Sequence, residues 1–274
     1  KEAVVSSQIE GTQATLVDLL TFEAESGGGP RSADVEEVCN YLDALDFART
    51  QLADSSGLPL SMRLLNKTHA RLMQGVRGAD KRPGAVRRTQ NWIGGSRPGN
   101  ATFVPPPPHA LGELLTAFEK YMHADDDLPP LVRAGLLHVQ FETIHPYLDG
   151  NGRMGRLLVT LLLEHRKLLT QPLLYLSLFF KRHRTDYYDR LGAVRTSGDW
   201  EGWTEFFLDG VATIAEEAVI SARELFTLVT EDRTRALDHA GTSVAAVRLV
   251  HLLPRHPGAS VAFASKQLGA SKPT

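Results

Sequence analysis

Residues His145–Arg156 read HPYLDGNGRMGR, and the chain on either side is organised around this stretch. We expect the preceding helix to end near His145, because Pro146 disfavours helical geometry in the residue before it. Gly150-Asn151-Gly152 tolerate positive φ, so consecutive backbone N–H groups can converge on an anion. A long apolar helix follows at once, and its N-terminus adds positive potential at the same place.

Arg153 and Arg156 lie in the first turn of that second helix, three residues apart and on one face. Cations at a helix N-terminus oppose the helix dipole, so this placement indicates a bound anion that offsets the cost. Phosphate is the natural choice, since the guanidinium fork matches its oxygens.

Two further side chains complete the predicted site. Asp149 is the one carboxylate in the stretch, and beside phosphates it can serve as a ligand of Mg²⁺. His145 is suited to accepting a proton at neutral pH. A base, a metal carboxylate, an anion nest and two arginines together indicate nucleotide phosphate chemistry. The alternative is an ordinary glycine-rich loop between two helices, with arginines on the surface.

Elsewhere the sequence predicts an all-α fold. Helical periodicity of apolar residues occurs in segments 12–25, 33–52, 62–73, 110–122, 131–144, 152–168, 184–194, 200–237 and 244–253. The aromatic residues expected to anchor the last long helix in the core are Trp200, Trp203, Phe206 and Phe207. Between Gly84 and Pro108 the helical signal fades, and two short strands around a Gly/Pro-rich turn, a lone β-hairpin, are predicted instead.

Composition narrows the class of protein. The 274 residues carry 30 Lys+Arg and 32 Asp+Glu, a net charge of -2, and 42% of them are hydrophobic. These values exclude a disordered or collagen-like chain and give no reason to expect bulk nucleic-acid or membrane-surface binding. The single cysteine, Cys39, cannot form an internal disulfide, which favours a cytoplasmic location. The longest apolar run, residues 157–163, is too short to span a membrane.

Both ends of the chain suggest a fragment. It starts Lys1-Glu2-Ala3, with neither a methionine nor a signal-peptide pattern. Residues Ser260–Thr274 read as a short helix followed by Gly269 and a new Ser/Thr start, which is how a helix-turn-helix begins. We expect the helix that would read DNA to lie beyond Thr274, so DNA is a candidate partner. A disordered tail is the alternative.

The stretch from His145 resembles the signature of the Fic (Fic/DOC) family, H-P-F-x-[D/E]-G-N-G-R-x-x-R, and only Tyr147 departs from it, by replacing Phe. The resemblance extends over most of residues 1–235 and implies a Fic-type helical core in which the predicted hairpin is a flap. It also implies an enzyme, a protein adenylyltransferase. Such an enzyme transfers AMP from ATP to a Ser, Thr or Tyr hydroxyl of a target protein and releases pyrophosphate.

The same resemblance implies roles for the site residues. His145 is the base that takes the proton of the target hydroxyl, and Asp149 holds Mg²⁺ against the α- and β-phosphates. The residues that bind phosphate are Gly150, Asn151, Gly152, Arg153 and Arg156. The flap residues that pin the target backbone by strand addition are Asn91, Trp92, Ile93, Gly94 and Gly95. Tyr187 and Tyr188 are nucleobase neighbours by analogy, although a pair of helical aromatic residues is more often part of the core.

Ser6-Ser7-Gln8-Ile9-Glu10-Gly11 resembles the inhibitory motif of the family, [S/T]-x-x-x-E-[G/N], with Ser6, Glu10 and Gly11 at its fixed positions. By this resemblance Glu10 pairs with Arg156 in the place of the γ-phosphate, and ATP then binds in a pose unsuited to in-line attack. Taken alone, Glu10 would be a solvated side chain. The predicted domains are an inhibitory-helix region at 1–25, a Fic core at 26–240 and the start of a winged helix or helix-turn-helix at 241–274.

Other functions are compatible with these residues. A relative of this kind can remove AMP, with Glu10 orienting a water, or move another nucleotide or phosphate group. A second alternative is a DNA-binding regulator in which the Fic core acts only as a sensor. A metalloprotease is excluded, because His138, Glu142 and His145 do not follow the order His-Glu-x-x-His. The sequence does not determine the oligomeric state, and a homodimer is a candidate assembly.

Overall fold

The computed structural model describes residues 1–24, 32–125, 127–239 and 244–269. Its α-helices in chain order are α1 (Glu2–Ile9), α2 (Leu16–Ala24), α3 (Ala33–Ala53), α4 (Met62–Leu72), α5 (Leu111–Met122), α6 (Pro130–Ile144), α7 (Asn151–His165), α8 (Leu176–Arg182), α9 (Arg184–Ser197), α10 (Trp200–His239), α11 (Val244–Leu252) and α12 (Val261–Leu268). The predicted all-α class is confirmed for this part of the chain. The apolar periodicity did not predict α8.

The unit that carries the predicted site comprises residues 1–12 and 36–214. Its core is built on α7, where Leu157, Leu158 and Leu161 are fully buried together with most of the helix. A helix that is apolar on every side is stable only when other elements cover it. Within this unit α6 packs against α7, α5 packs against α6, and α1 packs against α8.

The aromatic residues of α10 fill the core beside α6. Trp203 is fully buried, and its Nε1 donates to the Gly135 carbonyl at 2.8 Å. Phe207 is also fully buried, and a Cβ on Gly135 would collide with its ring. The predicted anchoring therefore holds for these two residues. Phe206 is half-buried, and Trp200 is 43% exposed at the first residue of the helix.

Residues 84–108 contain one antiparallel bridge, between Ile93 and Phe103, in place of the two predicted strands. Ile93 N donates to the Phe103 carbonyl at 2.8 Å. Pairing extends no further because Gly94-Gly95 adopt positive φ on one side, while the Pro105–Pro108 run lacks N–H donors on the other. The flap is thus a loop closed by a single bridge.

The second unit comprises residues 13–35 and 215–274. In it α11 and α12 pack together, and Ser260 caps α12 by accepting from Phe263 N at 3.2 Å. Gly269 ends α12 with φ 64°, as expected for the short helix and turn predicted there. The predicted helix-turn-helix is not tested, since residues 270–274 lie outside the described residues. So do the predicted domain boundaries at 25/26 and 240/241.

The length and apolarity of the helices in the described ranges bear on membrane insertion. None of them combines the length and the apolarity needed to cross a membrane.

Trp203→Ala is expected to lower the free energy of unfolding by about 3–5 kcal/mol, because it leaves a cavity in the core and removes the bond to Gly135. Trp200→Ala, at a more exposed position of the same helix, should cost about 1 kcal/mol or less. Urea unfolding followed by circular dichroism measures both changes. Equal losses in the two variants would contradict the different burial of these side chains.

Candidate active site

The loop between α6 and α7 carries the predicted site, and both of its ends have left-handed backbone. His145 ends α6 with φ 51° and ψ 62°, and Gly150 precedes α7 with φ 75°. Helix α6 therefore ends just before Pro146, as the sequence predicts. Few residues other than glycine adopt this conformation, and the contacts around His145 have to hold it in place.

Arg87 provides much of that support. Its Nε donates to the His145 carbonyl at 2.9 Å, and its backbone N donates to the Pro146 carbonyl at 2.9 Å. The side chain is buried. No local pattern singles out Arg87 in the sequence, because it lies 58 residues before His145.

Asn151 fixes the loop with its side chain. Its Oδ1 accepts from Tyr147 N and its Nδ2 donates to the Tyr147 carbonyl, both at 2.8 Å. Asn91 Nδ2 donates to the same carbonyl at 2.9 Å. What Asn151 offers to an anion is therefore its backbone N–H, together with those of Gly152 and Arg153, because the first turn of a helix has no intrahelical acceptors.

Tyr147, which replaces the Phe of the family signature, has a partner for its hydroxyl and another for its ring. Its hydroxyl donates to Asn66 Oδ1 at 2.8 Å, and its ring stacks on His69 with centroids 3.8 Å apart. Gly84 N donates to His69 Nδ1 at 2.8 Å, so the proton lies on Nε2, which donates to the Asp149 carbonyl at 2.9 Å. Burial lowers the pKa of His69 to about 4, which keeps this ring neutral. No pattern in the sequence indicated Asn66 or His69 as part of the site.

His145 is half-buried and neutral. Burial, with the nearby Arg195 and Arg87 cations, lowers the pKa of His145 to about 4. The Glu142 carbonyl and the Glu10 carboxylate oppose this shift without reversing it. At physiological pH the imidazole is therefore free to accept a proton, as the predicted base requires.

Arg156 is 2% exposed and bound to α1. Its Nη2 donates to Glu10 Oε1 at 2.7 Å and to the Ser6 carbonyl at 3.0 Å, while its Nε donates to Ser6 Oγ at 2.9 Å. Burial acts to raise the pKa of Glu10, but the charge and hydrogen bond of Arg156 outweigh it and lower that pKa. Gly11 turns the chain after the helix with φ 100°. Ser6 and Glu10, two of the three fixed motif residues, thus contact Arg156 from 150 and 146 positions away.

The Glu10 carboxylate covers the N-terminal end of α7. A Cβ on Gly152 would collide with Glu10 Oε1, so the glycine allows the close approach. The carboxylate lies where the helix dipole and Arg156 both favour negative charge. A carboxylate of the same chain thereby supplies the negative charge that the sequence predicts for a bound phosphate.

Arg153 does not join Arg156. It is 1% exposed, its Nη1 lies 3.4 Å from Glu37 Oε2, and its Nη2 donates to Met73 Sδ at 3.3 Å. The two arginines are therefore neutralised by different carboxylates: Arg153 by Glu37 of α3, and Arg156 by Glu10 at the end of α1.

Asp149 is half-buried, and its Oδ1 accepts from Gly150 N at 2.6 Å. Across the described ranges no three His, Cys, Asp or Glu side chains lie close enough to share a metal ion. A single carboxylate suits Mg²⁺, which is usually bound by one or two carboxylates together with substrate phosphates and water. Asp149 therefore fits a magnesium ion that arrives with a nucleotide.

The predicted docking segment has an open backbone edge. Ile93 uses its N–H and carbonyl in the bridge, whereas Trp92 and Gly94 make no backbone hydrogen bond to any described residue. The Trp92 side chain is 40% exposed.

The two predicted nucleobase neighbours differ in exposure. Tyr187 is buried, and its hydroxyl lies 2.9 Å from His138 Nε2 within the aromatic core. Tyr188 is 40% exposed, and the Arg184 guanidinium lies 5.8 Å from its ring centroid. Only Tyr188 presents a substantial surface to a ligand.

Two family models match the chain. The Fic/DOC family model matches residues 59–163, and the Fic/DOC family N-terminal model matches residues 1–50, together more than half of the chain. The chain belongs to the Fic/DOC family. This Fic chain is similar to "Protein adenylyltransferase Fic" of Culex quinquefasciatus, with 32% identity over 205 residues, which are 73% of this chain and 38% of that protein. The protein of the same name from Aedes aegypti is 34% identical over 128 residues, 46% of this chain and 23% of that protein.

Solved structures of Fic proteins share the fold. A Fic family protein from Desulfovibrio desulfuricans G20 superposes with a TM-score of 0.67 and 24% identity, over 100% of this chain and 76% of that one. Fic-1 from C. elegans gives a TM-score of 0.63 and 22% identity, over 80% of this chain and 62% of that one. The chain spans about two fifths of the length of the Culex relative.

Acidification is expected to remove the contribution of the Glu10–Arg156 pair to stability. Arg156 lowers the Glu10 pKa in the folded state, so the carboxylate stabilises the fold above its unfolded value of about 4.5, and this effect is lost as the pH falls through the folded value. The difference in Tm between the wild type and Glu10→Gln should therefore shrink as the pH is lowered from about 6 to about 3. Glu113→Gln, at an exposed position of α5, is the control. A difference that stays constant over this range would contradict the contribution of the pair.

Proposed function

We propose that this Fic chain is a protein adenylyltransferase that moves AMP from ATP to a Ser, Thr or Tyr hydroxyl of a target protein, and that Glu10 inhibits it through Arg156. The observation that carries the proposal is a neutral His145 next to a helix N-terminus whose anion site is filled by a carboxylate of the same chain. The activity printed in the names of the insect relatives supports the same reaction.

His145 is the proposed base. Its neutral imidazole takes the proton of the target hydroxyl while that oxygen bonds to the α-phosphorus, and the bond from this phosphorus to the pyrophosphate oxygen breaks. Pyrophosphate leaves, and the imidazolium then returns its proton to water. The low pKa of His145 makes this last step easy, and it makes the first step dependent on close placement of the hydroxyl.

The first turn of α7 is the proposed phosphate site. The N–H groups of Asn151, Gly152 and Arg153 point along the helix axis toward the loop and are available to neutralise phosphate oxygens. Asp149 is the residue proposed to hold Mg²⁺, which when bound would neutralise phosphate charge. Arg156 is proposed to meet the γ-phosphate. For Arg153 to contact phosphate, it would have to exchange its present pairing with Glu37.

The flap is the proposed docking site for the target. Its open edge at Trp92 and Gly94 suits a peptide that adds as an extended strand, which would present a side-chain hydroxyl next to the flap. Asn91 links this segment to the Tyr147 carbonyl, so the docked peptide and the loop of His145 would be held together. Tyr188 is the proposed contact for the nucleobase.

Inhibition follows from competition for one cation. The Glu10 carboxylate occupies the Arg156 contact proposed for the γ-phosphate, so ATP has to displace it or bind with its phosphates out of line. A coupling of about 1–3 kcal/mol changes a population by about 5- to 150-fold, which suits a regulator.

His145→Ala is expected to reduce AMP transfer by about 10²- to 10⁴-fold, the usual contribution of a general base, while ATP binding persists. Incorporation of labelled AMP measures transfer, and calorimetry measures ATP binding. His251→Ala, at an exposed position in the second unit, is the control and should behave as the wild type. Undiminished incorporation by His145→Ala would rule out this residue as the base.

Glu10→Gly is expected to raise AMP incorporation, into the chain itself or into targets in a lysate, by about 5- to 150-fold because Arg156 is released. Glu113→Gln serves as the control for loss of a negative charge elsewhere. Arg156→Ala should weaken ATP binding. Flat activity in Glu10→Gly combined with unchanged ATP affinity in Arg156→Ala would show that this pair is not the switch.

A further inference from the structure

Glu142 lies on α6, one turn before His145. Both its backbone carbonyl and its carboxylate approach Nδ1 of the His145 ring. The Glu142 carbonyl is 3.3 Å from His145 Nδ1, and the carboxylate Oε2 of the same residue is 4.0 Å from that nitrogen. A carbonyl oxygen can only accept a hydrogen bond, so Nδ1 carries the proton. This leaves the lone pair on Nε2, the nitrogen that can act as the base.

The Glu142 carboxyl is buried beside the Arg156 and Arg195 charges, but it is not fully hydrogen-bonded. It is 5% exposed, and its Oε1 has no hydrogen-bond partner among the residues that the structure describes. A buried oxygen without a hydrogen-bond partner costs stability, which the charges of Arg156 and Arg195 offset only in part, since the pKa of the carboxyl is still raised. The opposite helix makes room for it, because a Cβ on Gly155 of α7 would collide with Glu142 Oε1.

The end of α6 is fixed so that this pair of residues keeps its geometry. Arg195 Nη2 donates to the Glu142 carbonyl at 3.0 Å, and its Nε donates to Thr143 Oγ1 at 3.3 Å. The same guanidinium lies over the Phe103 ring of the flap, 4.1 Å from its centroid. The Glu142 backbone thus accepts from both Arg195 and His145.

We propose that Glu142 is a positioning residue for His145: its backbone carbonyl keeps the proton on Nδ1, and its carboxylate, when ionised, stabilises by its charge the imidazolium that forms as Nε2 takes the proton of the target hydroxyl. The proposal rests on the adenylyltransferase function proposed above. Its logic is that of a carboxylate behind a catalytic histidine. It supplies negative charge to a base that lies near the Arg195 and Arg87 cations, in addition to the Glu10 carboxylate.

Ionisation of Glu142 falls in a range that an experiment can reach. Burial raises the pKa of Glu142 to about 7, and the Glu10 carboxylate adds to the shift, whereas Arg156 and Arg195 oppose it. Tyr187 is the other titratable side chain close to this carboxyl, and its pKa is raised well above 10. The carboxylate form is therefore gained as the pH rises through about 7.

The test uses the full chain with Glu10→Gly as the parent, and compares it with the same chain carrying Glu142→Gln. We expect kcat for AMP transfer to fall about 10- to 100-fold, less than for loss of the base itself, while KM for ATP stays within about twofold. The parent rate should rise with pH as Glu142 ionises, at a pH below about 7 because Glu10 no longer helps to raise the pKa of Glu142, and the Gln variant should lose this rise. Glu142→Asp, which keeps the charge, should retain it. Glu113→Gln is the control and should match the parent.

A second readout does not depend on activity. In ¹⁵N NMR titrations, the His145 ring nitrogens should report the ionisation of Glu142, near pH 7 in the wild type and at a lower pH in the Glu10→Gly parent. This step should be absent in Glu142→Gln. If the Glu10→Gly parent transfers no AMP, the proposed function fails, and the titration still decides the link between Glu142 and His145. The positioning role is overturned if the titration step persists in Glu142→Gln. It is also overturned if activity falls with an unchanged pH profile, which is the result expected from packing damage alone.

Discussion

The guanidinium of Arg156 is a buried positive charge, and the rest of the site depends on what neutralises it. Removing one partner from a buried ion pair leaves an uncompensated charge and is strongly destabilising. In this Fic chain the partner is Glu10 at 2.7 Å, with Ser6 bound to the same side chain. A carboxylate and a phosphate oxygen are chemically alike for a guanidinium. The need to neutralise Arg156 therefore underlies both the proposed nucleotide site and its proposed competition with Glu10.

The same requirement explains why α1 is built into the folded unit. Contacts that do not involve the Glu10 carboxylate hold this helix to α8: Glu2 accepts from Ser177 N at 3.2 Å, and Lys181 Nζ donates to Gln8 Oε1 at 2.7 Å. Glu10, the proposed inhibitory residue, thus follows a helix that is anchored by other contacts. Loss of one ion pair removes one contact of several, which makes a graded regulator compatible with a stable fold.

The sequence predicted the parts of the site that lie close together in the chain. The end of α6 at His145 and the turn at Gly150 agree with the structure. The Glu10–Arg156 contact, across 146 positions, was implied by the family resemblance and not by a local pattern. The sequence did not predict the residues that hold the loop from a distance, such as His69, 80 positions from Asp149. Tertiary contacts of this kind leave no periodic or local pattern. Arg153 is an example of a prediction that local spacing got wrong. Helical spacing places it beside Arg156, but its guanidinium pairs with the buried Glu37 carboxylate, 116 positions away.

A double-mutant cycle on ATP binding tests the central claim most directly, that Glu10 and ATP compete for Arg156. Calorimetry in the presence of Mg²⁺ would give the ATP affinity of the wild type, Glu10→Gln, Arg156→Ala and the double variant. The account predicts that Glu10→Gln strengthens ATP binding when Arg156 is present and has no such effect in the Arg156→Ala background. Equal strengthening in both backgrounds would contradict it.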